Sequence, residues 1–274
     1  MKHRPPLIAW IGIAIIAVNL IMCLIGPWLT PYGEADLVGG VWEGPSAQFW
    51  FGTDNLGRDM LTRIIYGSRN TILMALLITC LCFLIGVTLG FIAAVAGGIV
   101  DMVLARLVDV MQALPVLIFA LVVLSVLGTS IPVLIGTIAI LESTRVFRVA
   151  RAVGMNIAVM EYVEVARLRG EGLGWIIRRE ILPNALAPLA ADFGLRFCFV
   201  FLFIAALSFL GLGIQPPHAD WGGMVRDNAP SINFGLTAPL FPAAAIALLS
   251  IGVNLVVDWL LSIEARPSGA QAEL

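Results

Sequence analysis

Residues 71–96 read TILMALLITCLCFLIGVTLGFIAAVA, a run without a charged side chain. An α-helix rises 1.5 Å per residue, so about 20 residues cross the roughly 30 Å hydrocarbon core of a bilayer. The run is long enough, and a helix closes its own backbone hydrogen bonds where lipid offers none. It also lacks the period-two alternation of a transmembrane β-strand. Gly86, Gly90 and Ala94 fall on one face of it, a small-residue stripe that lets a neighbouring helix come close.

Five more runs flank this one, near 7–29, 103–127, 131–151, 185–212 and 238–262. They predict an all-α integral membrane protein with six transmembrane helices. Composition agrees: 60% of the 274 residues are hydrophobic, 12% are charged, and the mean hydropathy is +0.99. The first run follows Lys2 and Arg4, is longer than a signal segment and ends Gly26-Pro-Trp28 without an A-x-A site, so it is expected to stay uncleaved. Pro115 should bend the third run. The fourth is apolar only over 131–141, about 17 Å of helix, before Glu142, Thr144, Arg145 and Arg148. Its charged half must face protein or water.

Lys2, Arg4, Arg148, Arg151, Arg167, Arg169, Arg178, Arg179 and Arg266 would share one side of the membrane, against Arg58, Arg63, Arg69 and Arg226 on the other. An excess of basic residues marks the cytoplasmic side. The expected layout is a cytoplasmic tail at 1–6, a single transmembrane domain over 7–264 and a cytoplasmic tail at 265–274, its last residues, 267–274, disordered. Inside the domain, an outer loop spans about 30–70 and a cytoplasmic loop about 152–184. Asp192 and Arg196, and likewise Arg106 and Asp109, stand one helical turn apart and are expected to pair or to face a pathway. Arg145 either pairs with Glu142, three residues away, or offers its cation to an anionic group from outside the chain.

Several chemistries are excluded or weakened. The only lysine is Lys2, so no phosphate-binding G-x4-G-K-[ST] loop exists. His3 and His218 fall on opposite sides, and Cys23, Cys80, Cys82 and Cys198 all lie within apolar runs. That leaves no pattern for a metal site, a disulfide framework or a nucleophile relay, and nothing suggests a nucleic-acid partner.

The exception to the apolar chain is its middle: Glu161-Tyr-Val-Glu-Val-Ala-Arg-Leu-Arg-Gly170. At 100° per residue, Tyr162, Val163, Val165 and Ala166 share one face and Glu161, Glu164 and Arg167 oppose it. A short amphipathic helix stopped by glycine between two spans suits docking into a partner's groove. The spacing Glu164-x-Ala166-x3-Gly170, followed by Leu182-Pro183, resembles the coupling loop of membrane subunits of binding-protein-dependent ABC importers, with Val165 and Glu180 departing from the family pattern. Two further strings resemble the C-type permeases of dipeptide, oligopeptide and nickel importers: Phe51-Gly-Thr-Asp-Asn-Leu-Gly-Arg-Asp59, and Leu207-Ser-Phe-Leu-Gly-Leu-Gly213 with Pro216-Pro217 and Trp221. In physical terms, Gly52, Gly57 and Gly67 allow turns, Asp54, Arg58 and Asp59 can pair and cap, and Gly211 and Gly213 can end a helix.

The resemblance implies a six-helix ABC importer permease fold in the bacterial inner membrane, both termini cytoplasmic, with a coupling helix formed by Glu161, Tyr162, Glu164, Val165, Ala166, Gly170, Leu182 and Pro183. It implies no enzymatic activity and no cofactor on this chain. ATP and Mg²⁺ would bind to two cytoplasmic ATPase partners, beside a homologous B-type permease, a periplasmic or lipid-anchored solute-binding protein, and membrane lipid. An ion-coupled secondary transporter is the alternative, for which Arg145, Asp192 and Arg196 would be the candidate residues.

Overall fold

A computed structural model describes residues 6–264, so the expected tails at 1–6 and 265–274 lie almost wholly outside the described residues. The described residues form helices joined by loops: α1 Leu7–Leu24, α2 Gly26–Leu29, α3 Met60–Ala96, α4 Gly98–Gln112, α5 Val116–Leu127, α6 Ile131–Ala158, α7 Glu161–Leu168, α8 Leu173–Ile176, α9 Leu182–Phe209, α10 Trp221–Asn228 and α11 Leu240–Glu264. Four stretches are long and apolar enough to cross a membrane: α1, α3, Leu173–Phe209 and Leu240–Ser262. The α4–α5 pair qualifies only when taken together, and it is bent by 83°. Helix α6 has the length, but Glu142, Arg145, Arg148 and Arg151 make it too polar for that test. The six expected runs therefore all appear as helices, four of them spans by length and composition and a fifth where the bent pair counts as one.

Several boundaries differ from expectation; α6, for one, runs on to Ala158, into the expected cytoplasmic loop at 152–184. The 103–127 run is not one helix, because Pro115 has no N–H to donate and its ring opposes the preceding turn. Helix α3 begins at Met60, inside the expected outer loop, where Asp59 accepts a hydrogen bond from the Thr62 N–H at 2.8 Å and caps it. Helix α9 begins at Leu182, not near 185. A π-helical turn, Ile177–Ile181, joins α8 to α9, so Leu182 and Pro183 sit in a nearly continuous helix rather than a loop. Pro183 withholds one donor at that point, and the wider turn accommodates the break.

Helix α3, about 55 Å long at the standard rise, packs mainly on α6, and α1 packs on α11. In lipid, such contacts depend on close approach more than on hydrophobic burial. The expected stripe supplies it: a Cβ on Gly90 would lie 2.8 Å from the Phe147 carbonyl oxygen, and one on Gly86 would lie 2.7 Å from that of Ser143. Ala94 answers Gly154 on the opposite face. Gly67, expected in a turn, lies within α3 and makes room for the indole of Trp221.

At the Met60 end of α3 the long loops fold together. Asp54 accepts from the Leu56 and Arg58 N–H groups and pairs with the Arg58 side chain at 2.7 Å, as expected, and Arg63 stands 3.3 Å away. Asn228 accepts from Trp42 Nε1 and from the Asn55 N–H. Glu34 receives Asn70 Nδ2 at 3.0 Å and the Ala219 N–H, with His218 alongside. Trp221 is fully buried and donates to the Ile64 carbonyl at 2.9 Å. Asp220 accepts from the Thr71 hydroxyl and from the Gly223 N–H, capping α10. Burial pushes the Asp220 carboxyl above its ordinary value, and the Gly223 hydrogen bond opposes that only in part.

Two outcomes follow. Gly90→Leu should force α3 from α6 and cost about 1–3 kcal/mol, read as a lowered midpoint in detergent unfolding. For Asp220, the folded pKa is the raised one, so its stabilising contribution is complete below the unfolded value near 4 and is lost as pH rises through the folded value. Wild type should accordingly lose stability relative to Asp220→Asn as pH rises above about 4. Parallel melting curves for the two proteins would contradict this.

Candidate functional site

At the other end of α3, α7 rests on a small core of its own. Val163 and Ala166 are both fully buried and belong to a cluster with Phe91, Ala150, Ile157 and Ile181. Arg167 reaches the Val95 carbonyl at the end of α3. The helix ends in a Schellman arrangement: the Gly170 N–H bonds the Arg167 carbonyl at 2.9 Å and the Glu171 N–H bonds that of Ala166 at 3.2 Å. Gly170 has φ +80°, a left-handed conformation that costs glycine little.

The expected apolar face of α7 divides in two. Val163 and Ala166 point into the chain, whereas Tyr162 and Val165 are 42% and 52% exposed, and Leu168 is 81% exposed. The reason is rotation: the single-face projection took no account of what α7 packs against. Glu161 and Glu164 are exposed in its first turn, where a carboxylate complements the helix dipole. Leu182 packs against the same small core, while Pro183 is exposed. The sequence reading missed Val159 and Leu168, both about as exposed as a side chain can be. Only the fold reveals that they join Tyr162 and Val165 as surface.

Charged residues of α4, α6 and α9 pair with one another. Asp192 and Arg196 pair as expected, at 3.3 Å. Glu142, only 3% exposed, lies 3.7 Å from Arg145 and 3.6 Å from Arg196, so it stands between two guanidinium groups. Chain separation hid the second of these pairs. Arg106 and Asp109 do not pair. Asp109 instead meets Arg148 at 2.9 Å, and Asp101 is bound by Arg151 through two nitrogens, so α4 is tied to α6 in two places. Beyond them the chain breaks at Ala113–Pro115, and a cavity of about 340 Å³ opens there, lined by Met111, Gln112, Pro115, Leu141, Thr144 and Arg145 among others.

Comparison with known proteins follows the same outline. A family model described as binding-protein-dependent transport system inner membrane component matches residues 86–266. A dipeptide transport system permease protein of Alkalihalophilus pseudofirmus is 35% identical over 255 residues, covering 92% of this chain and 84% of that protein. A di/tripeptide transport system permease protein of Pseudomonas aeruginosa is 33% identical, with 91% and 84% covered. A glutathione transport system permease protein of Pectobacterium atrosepticum is 32% identical, with 80% and 72% covered.

Arg196 is the cation shared by two buried carboxylates. Arg196→Met should destabilise the protein by about 3 kcal/mol or more, since it leaves buried charge uncompensated. Adding Glu142→Gln and Asp192→Asn should recover part of that loss. Thermal unfolding of the purified variants measures both.

Proposed function

The chain belongs to the binding-protein-dependent transport system inner membrane components, and from that premise we propose that it forms one half of the membrane pathway of an ATP-driven importer, beside a homologous permease subunit. The observation that carries this is the surface of α7. An eight-residue helix is anchored by Val163 and Ala166 and still presents Tyr162, Val165 and Leu168 outward. A soluble partner's groove is the natural cover for such a face.

Two cytoplasmic ATPases, which bind ATP and Mg²⁺, would grip this helix on each side of the pathway. The permease would need no catalytic group or cofactor of its own. ATP can drive the helices between two arrangements only through contacts that differ between them, and α7 would make such contacts. Its tie to Val95 and its core with Phe91, Ala150 and Ile181 would pass a displacement to α3, α6 and α9 together.

The basic residues around α7, including Arg148, Arg151, Arg167 and Arg169, support placing this end and both termini in the cytoplasm. The folded loops with α10 would then face outward and meet a solute-binding protein, periplasmic or lipid-anchored. The names of the relatives favour short peptides as cargo. The ion-coupled alternative gains nothing from Asp192 and Arg196, which are engaged with each other.

Gly170→Pro removes the N–H that closes α7 and imposes a φ near −65° where +80° is required. Glu164→Lys reverses a charge on the exposed side. Each should reduce ATP-dependent uptake at least ~10-fold while the chain still inserts and assembles, a loss of roughly 1.4 kcal/mol in coupling. Undiminished uptake in both variants would sink the coupling role.

A further inference from the structure

Arg145 stands 14 residues from the start of α6 and 13 from its end, near the middle of the helix. A charge within an expected span requires a counter-charge, water or a ligand. Glu142 is the nearest counter-charge, but it already has Arg196 at 3.6 Å, and Asp192 holds Arg196 in turn. The two carboxylates thus lie buried around Arg196, while Arg145 keeps 43% of its side chain exposed. Arg145 is also the only charged residue among those lining the 340 Å³ cavity.

Two further features of that cavity point the same way. The chain between α4 and α5 is broken at Ala113–Pro115. Irregular backbone at membrane depth is tolerated where it lines a wet or liganded cavity. Gln112, on the rim of the break, has a buried side-chain nitrogen without a hydrogen-bond partner. A guanidinium and a spare amide donor on one small cavity are complementary to a planar, two-oxygen anion.

We propose that the α4–α5 corner is a carboxylate subsite, in which Arg145 and Gln112 receive the carboxylate of a passing peptide. This rests on the importer reading for the identity of the occupant and on the cavity alone for its charge. Glu142 then acts as a positioning residue. It keeps the guanidinium at the cavity wall and takes it back when the cargo leaves, so that the cation never stands unpaired in the pathway.

The test uses the assembled complex in vesicles, with Ala113→Cys placed in the cavity wall and the exposed Cys80 changed to Ser. Two thiol reagents of similar size are compared, one carrying a sulfonate and one a trimethylammonium group. Arg145 should favour the sulfonate reagent, and Arg145→Gln should reduce the ratio of the two rates by about tenfold. Effects of the substitution on thiol reactivity itself cancel in that ratio. Alanyl-alanine should slow labelling, and its C-terminal amide should not.

A ratio indifferent to Arg145, or equal protection by both peptides, overturns the subsite. So does protection by phosphatidylglycerol in the vesicle with none by the dipeptide, since the occupant would then be a lipid headgroup. Uptake of the same dipeptide on addition of ATP is measured separately. Its absence, with the charge preference and peptide protection intact, counts against import and upholds the subsite.

Discussion

Everything else in the molecule depends on how closely α3 and α6 approach. The carbonyls of Ser143 and Phe147 lie where side chains on residues 86 and 90 would have to be, so these positions admit only hydrogen. In a bilayer this contact cannot be replaced by greasier side chains, because lipid competes equally for them. The approach fixes the rotation of α6. Glu142 thereby turns inward toward α9, and Ala150 and Ile157 turn toward Phe91, where they build the floor under α7.

Two regions at opposite ends of α3 follow from that one contact, and they are built differently. The α10 end is polar and interlocked. Glu34 and Asn228 each collect two partners from distant parts of the chain, Asp220 reaches Thr71 across the sequence, and Asp54 ties its own loop to Arg63, so this end is cross-braced. The α7 end is apolar and thin, a few small side chains beneath an exposed helix. A rigid, polar end and a thinly anchored apolar end are what the proposed role of an externally driven subunit would require. Between them, Glu142, Arg145, Asp192 and Arg196 are neutral as a group, which keeps their cost in the membrane low while leaving Arg145 at a cavity wall.

Much of this was legible in the chain. Run length predicted the helices, four-residue spacing predicted a close-packing face on α3 and the Asp192–Arg196 pair, and Gly170 marked the end of α7; that α6 is the helix on that face came only from the fold. What stayed hidden was mostly non-local. Asp109 chose Arg148 on another helix over Arg106 on its own, and Glu142 gained Arg196 from α9. The start of α3 was masked because Arg63, Ser68, Arg69 and Asn70 make its first turns polar, although Asp59 was an available cap signal. Pro115 announced a bend but not one of 83°. The division of α7 into buried Val163 and Ala166 and exposed Tyr162 and Val165 needs the floor beneath the helix, which no local pattern supplies.

The central claim is that this chain is moved by others. It is tested most directly by tagging the chain, extracting it gently from its native membrane and identifying by mass spectrometry what copurifies in fixed stoichiometry. A second, homologous permease together with P-loop ATPases is the predicted result. A homogeneous assembly of this chain alone, transporting in vesicles without ATP, would contradict the account.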